Sequence, residues 1–119
     1  MSAAREVAES YWAAECRRDI EAVMRHYHGD ATYQDGGGLL TGAAEIRGFY
    51  EGSMRDYPGL DVQILREYVA APDTSAFEVN AELTDHQGSR FTIQGLISIA
   101  VRDGKMVAIR CYEDPLRPA

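Results

Sequence analysis

The sequence predicts an α+β domain in which a curved sheet is folded over helices. Three observations lead there. The first half carries apolar residues at helical spacing, and the second half alternates apolar and polar residues at strand spacing. Each half can hide its apolar face only against the other. A sheet that curves around helices encloses a tapering interior, so a conical pocket is expected. With 119 residues, a single domain spanning 1–119 is expected, long enough to bury a core without staples.

The elements follow in order. Ala3, Val7, Tyr11 and Ala14 recur at four, four and three residues, which is one face of a first helix. Asp19 is placed to cap a second helix whose face is Ile20, Val23, Met24 and Tyr27, with Gly29 ending it. "ATYQD" at 31–35 alternates as a short strand, so Ala31, Tyr33 and Asp35 share one face, and Tyr33 marks that face as the buried one. Three glycines follow at once. "TGAAEIRGFYEGSMRDY" predicts a third helix with Ile46, Phe49, Tyr50, Ser53, Met54 and Tyr57 on one side, stopped by Pro58 and Gly59.

From there the chain reads as strands. Leu60, Val62 and Ile64 alternate with polar residues, as do Phe77, Val79, Ala81 and Leu83. Phe91, Ile93, Gly95, Ile97, Ile99 and Val101 form a third apolar face, on which Gly95 predicts a bulge or a bend. "DHQGS" at 85–89 is a turn, and "RDGK" at 102–105 holds the Asp-Gly pair typical of a two-residue hairpin. The last strand is expected from about Met106 to Asp114.

Composition bounds the function. A formal charge of −7 argues against nucleic acid and against an acidic membrane surface. No apolar run approaches a membrane span. The start "MSAAREVAESYW" has early charges and no apolar signal core, so a cytoplasmic location is expected, with Cys16 and Cys111 as free thiols.

Two features bear on chemistry. Each predicted helix puts one tyrosine on its apolar face, Tyr11, Tyr27 and Tyr50. Buried phenols need hydrogen-bond partners, and three of them can satisfy one another. Asp35 has two readings: an aspartate before glycines that caps its own loop, or an inward carboxylate with work to do. His26 and His28 lack a nearby third ligand and read as a solvated helix end, so no metal is expected.

"SYWAAECRRDIEAVMRHYHGDATYQD" resembles the opening of the ketosteroid isomerases, members of the superfamily of nuclear transport factor 2 and the SnoaL-like polyketide cyclases. "DIEAV" at 19–23 is similar to that family's helix start, "HGDAT" at 28–32 to its turn, "TGAAEIRGFY" to its third helix, and "RDGKMVAIRCYEDP" to the final hairpin of SnoaL-like members. The resemblance implies a mixed, mostly antiparallel sheet wrapped around the three helices. It makes Asp35 the catalytic base, Tyr11 the phenol on the substrate oxygen, and Tyr27 and Tyr50 a supporting network. It implies no cofactor, an apolar small-molecule substrate and a homodimer through the outer sheet face, where Leu65, Val69, Leu96 and Ala100 lie. It also points Val107, Ile109, Cys111 and Glu113 inward. Trp12 has two readings, a residue lining the pocket entrance or a cover for the sheet edge.

Two departures stand out. Ile97 falls where the isomerases carry a second, oxygen-binding acid, and Cys111 falls where limonene epoxide hydrolases carry an aspartate. The expected function is therefore an isomerase or cyclase that abstracts a proton next to the carbonyl of an apolar polycyclic or polyketide-like ketone. The alternatives are an epoxide-hydrolase-type enzyme using Asp35 and Glu113, or a binding module without turnover.

Overall fold

A computed structural model describes residues 1–119. Helix α1 spans Ala3–Cys16, and its Ser2 cap accepts the Arg5 N–H at 3.0 Å. Helix α2 is a short turn, Ile20–Met24, capped by Asp19, which accepts the Ala22 N–H at 3.1 Å. Strands β1 (Tyr27–Asp35) and β2 (Gly38–Thr41) precede helix α3 (Ala43–Asp56). Four long strands follow: β3 (Gly59–Ala71), β4 (Thr74–Thr84), β5 (Arg90–Arg102) and β6 (Lys105–Glu113). A two-residue β7, Arg117–Pro118, lies against β5.

The sheet runs β2-β1-β6-β5-β4-β3. Only β1 and β6 pair in parallel; every other ladder is antiparallel. The concave face holds Phe77, Val79, Ile97, Ile99 and Ile109 against Ala4, Ala8, Tyr11 and Trp12 of α1 and Ile46 and Tyr50 of α3. The expected α+β architecture, a mostly antiparallel sheet curved over N-terminal helices, is the one found. The two long turns also match. Asp103 and Gly104 have φ of 52° and 76°, the left-handed pair of a type I′ turn, and the Asp85 carboxylate accepts the Gln87 and Ser89 amides.

Four local expectations fail, each for a physical reason. The buried stripe of α1 passes through Ala4 and Ala8 rather than Ala3, which is exposed, because the small side chains let the helix lie close to the sheet. Tyr27 is not on a helix. The Met106 N–H is bonded to the His26 carbonyl at 2.7 Å, so Tyr27 pairs with Met106 and opens β1. The "HGDAT" segment is no free turn but the irregular part of β1, where the register slips between Tyr27 and Thr32. Asp35 pairs with Gly38, so Gly36 and Gly37 make a tight turn into β2. Gly95 marks no bulge, since both its ladders run through in register. It is there for close approach: a Cβ would come within 2.7 Å of Glu113 Cγ and 2.8 Å of the Tyr112 carbonyl.

Candidate functional site

A cavity of about 280 Å³ opens between α1, α3 and the concave sheet face. Strands β3, β4 and β5 give it only apolar side chains, Val62, Val79, Ala81 and Ile97 among them. Its polar groups come from α1, α3 and the β1–β6 side. Trp12 is buried and stands edge-on to Phe77, with ring centroids 5.6 Å apart, so it forms wall rather than a cover for the sheet edge.

Three buried phenols meet beside this cavity, and Tyr11 is the one that borders it. The Tyr11 and Tyr50 hydroxyls are hydrogen-bonded, and those of Tyr27 and Tyr50 lie 2.6 Å apart. Tyr11 and Tyr50 arrive from facing helices, and Tyr27 reaches them from the start of β1. Burial holds all three well above the ordinary phenol range, so they stay protonated donors.

Asp35 ends β1 at the rim and borders the cavity. Its Oδ1 also accepts the Gly37 N–H at 2.8 Å. It thus caps its own turn and borders the cavity at once. Glu113 borders the same cavity from the end of β6, seated over Gly95. Lost hydration on the cavity side and the charge of Asp35 raise its carboxyl above the usual range.

Ile97 and Cys111 are register partners and both line the wall. The Cys111 thiol donates to the Tyr33 hydroxyl at 3.5 Å, and burial pushes it up to about 12, which makes it a packing group rather than a thiolate. The inward set of β6 is Met106, Ile109 and Cys111 rather than one that begins at Val107, because the ladder with β5 slips between Ala100 and Val101.

Sequence reasoning missed Glu15. It borders the cavity one turn after Tyr11 on α1, and burial pushes its carboxyl up to about 7, against the lowering effects of the Tyr11 hydroxyl and Arg18. The available signal was the four-residue spacing from Tyr11, which places a carboxylate on the buried stripe.

No group of three or more His, Cys, Asp or Glu side chains is arranged to hold a metal ion. His26 is bonded to Ser10 Oγ and the Ala22 carbonyl, and His28 to the Arg102 carbonyl, each at 2.7 Å. No helix is long and apolar enough to cross a membrane. A wider groove of about 600 Å³ lies on the outer sheet face, between Leu65, Tyr68, Leu96 and Tyr112. Glu78 and Asp114 also border it, and it is open along the sheet surface rather than enclosed by helices.

A family model described as a SnoaL-like domain matches residues 8–109. No curated protein matches the chain in sequence. Among solved structures, a Δ5-3-ketosteroid isomerase from Mycobacterium sp. is 20% identical with a TM-score of 0.84, over 94% of this chain and 93% of that one. A Mycobacterium tuberculosis protein in complex with estradiol-17β-hemisuccinate is 17% identical with a TM-score of 0.83, over 94% of each chain. An LEH-like epoxide hydrolase from M. tuberculosis is 21% identical with a TM-score of 0.80, over 94% of this chain and 82% of that one. At such identities the likeness concerns the fold alone.

Proposed function

This chain belongs to the SnoaL-like domain family, and from that premise we propose that it is an enzyme of proton transfer next to a carbonyl. The substrate is an apolar, polycyclic or polyketide-like ketone. Asp35 is the general base and Tyr11 the donor to the oxygen that gains charge. One observation carries this reading: a chain of three bonded phenols ends at a mostly apolar cavity that the Asp35 carboxylate also borders. Asp35 takes the proton as the C–H bond breaks, and the electron pair moves onto the carbonyl oxygen. Tyr11 stabilises that oxygen with a hydrogen bond that two further phenols strengthen. Asp35 then returns the proton to carbon. In a cyclase the enolate carbon instead attacks a second carbonyl carbon of the substrate, whose π pair moves onto its oxygen, and Asp35 gives its proton to that alkoxide. The similar ketosteroid isomerase and the similar protein bound to an estradiol derivative support the substrate class.

The test uses 2-tetralone, an apolar bicyclic ketone with acidic α-protons. Its exchange in deuterated water, followed by NMR, is expected to be catalysed. Asp35→Asn should slow it by about 10²–10⁴-fold, the usual share of a general base. Full exchange in that variant ends this reading.

A second reading draws on the carboxyls of Asp35 and Glu113 at one rim. There Asp35 activates water and Glu113 protonates an epoxide oxygen. Styrene oxide hydrolysis that fails on Glu113→Gln would favour it. A domain that only binds would tolerate Asp35→Asn with unchanged ligand affinity.

We also propose that the chain works as a homodimer in the cytoplasm. Leu65, Tyr68, Val69, Leu96 and Tyr112 are exposed on the outer sheet face, an apolar surface that a second copy would cover.

A further inference from the structure

Glu15 is the one buried carboxyl that the reading above leaves idle. It lies on the same face of α1 as Tyr11, one turn on, and its side chain is only 14% exposed. A carboxylate deprived of water needs a close cation or several donors. Arg18 is in reach but does not supply them. Its Nη1 stands 4.0 Å from Glu15 Oε1 and makes no hydrogen bond. The guanidinium is drawn the other way, with Nε and Nη2 donating to the Tyr57 carbonyl at 3.0 and 2.8 Å. Burial pushes the carboxyl up to about 7, so a neutral form is populated near neutrality.

The phenols fix where the next proton points. Three hydroxyls carry three protons, and the two bonds between them use two. Tyr11 borders the cavity and Tyr27 and Tyr50 do not, so a relay running from Tyr27 through Tyr50 to Tyr11 leaves the free O–H on the one phenol of the three that a ligand can meet. Ionised Glu15 is an acceptor for that proton and takes it away from a ligand. Neutral Glu15 releases it and adds an O–H of its own.

We propose that Glu15 is a further catalytic residue of this cavity: its neutral carboxyl donates, beside the Tyr11 phenol, to the substrate oxygen, and its ionised form silences Tyr11. The inference rests on the proton-transfer reading of the site. No extra proton is consumed. Glu15 keeps its own while Asp35 accepts and returns the one from carbon. The titratable groups around Glu15 are Arg18 and Cys16 beside it, Tyr11, Tyr27, Tyr50, Cys111 and Glu113. Lost hydration and the charge of Asp35 raise the Glu113 carboxyl, and Glu113 is present in every Glu15 variant, so its contribution is common to them all.

The experiment measures 2-tetralone affinity by calorimetry from about pH 5 to about pH 9 for wild type, Glu15→Gln, Glu15→Leu and Tyr11→Phe; the ketone oxygen only accepts, so it reads donors directly. Wild-type affinity is expected to fall about tenfold or more as pH rises through about 7. Glu15→Gln, which keeps an N–H donor and cannot ionise, should bind tightly with that fall removed. Glu15→Leu should also lose the fall but bind about tenfold more weakly than wild type at low pH. Tyr11→Phe separates the two ideas. If it leaves affinity unchanged, the site reading itself fails. If Tyr11→Phe weakens binding while Glu15→Leu matches wild type at every pH, only the role of Glu15 is overturned.

Discussion

Glu15 makes a claim on stability as well as on ligand. An acid whose pKa is higher folded than unfolded binds more protons in the folded state, so stability falls as pH rises between the two values. For Glu15 that window runs from about 4.5 to about 7. Below it the residue is protonated in both states; above it the whole penalty, on the order of 3 kcal/mol, is present. Glu15→Gln should therefore match wild type in urea unfolding at about pH 4 and exceed it by roughly that amount at about pH 8. Equal stability at both pH values would place the carboxyl in water. Tyr50 makes the complementary case. Tyr50→Phe leaves Tyr27 and Tyr11 without their shared partner, and should cost about 1–3 kcal/mol in denaturant unfolding while weakening ketone binding. Of these residues, Tyr11, Tyr50 and Asp35 were legible because phenols on apolar stripes and a carboxylate at a strand end are unusual enough to ask for partners. Glu15 was not, because a glutamate in a helix ordinarily reads as solvated surface, and only the packing of α1 against the sheet turns this one inward.

At the scale of elements, the join between β5 and β6 is the sensitive point. Gly95→Ala would set a methyl 2.7 Å from Glu113 Cγ and 2.8 Å from a backbone oxygen, which the strand pair can relieve only by moving apart. Loss of about 1–3 kcal/mol in the urea midpoint is expected, together with a displaced Glu113. An unchanged midpoint would mean that the end of β6 yields freely. The long strands and the Asp103–Gly104 hairpin were readable because alternation and turn chemistry agree there. Three shorter pieces were not. Strand β2 has four residues and begins with glycine, β7 has two and ends in proline, and both exist because a neighbour offers hydrogen bonds. Tyr27 has helical spacing from Val23, yet the β6 backbone claims the chain at that point.

For the whole molecule, the class of fold followed from pattern, whereas the strand order did not. Nothing local to 27–35 says that this strand will lie between β2 and β6, or that its pairing with β6 will be parallel. Assembly is the open property at this scale. If the outer face pairs two copies, at least about 1,000 Å² must be covered in total. Sedimentation at micromolar concentration should then give a dimer, and Leu65→Asp, which charges an exposed position at 53% accessibility, should give a folded monomer. A monomeric wild type would refute it. The parallel ladder has one more consequence, in time rather than in space. Tyr33 and Cys111, which touch across it, are 78 positions apart in the chain. During synthesis β1 leaves the ribosome long before its inner neighbour exists, so the wall bearing Asp35 is the last to close. Such distant pairing is slow, and refolding followed by Trp12 fluorescence is expected in milliseconds to seconds rather than microseconds. Until then the half-built cavity shows its apolar lining to whatever chaperone is near.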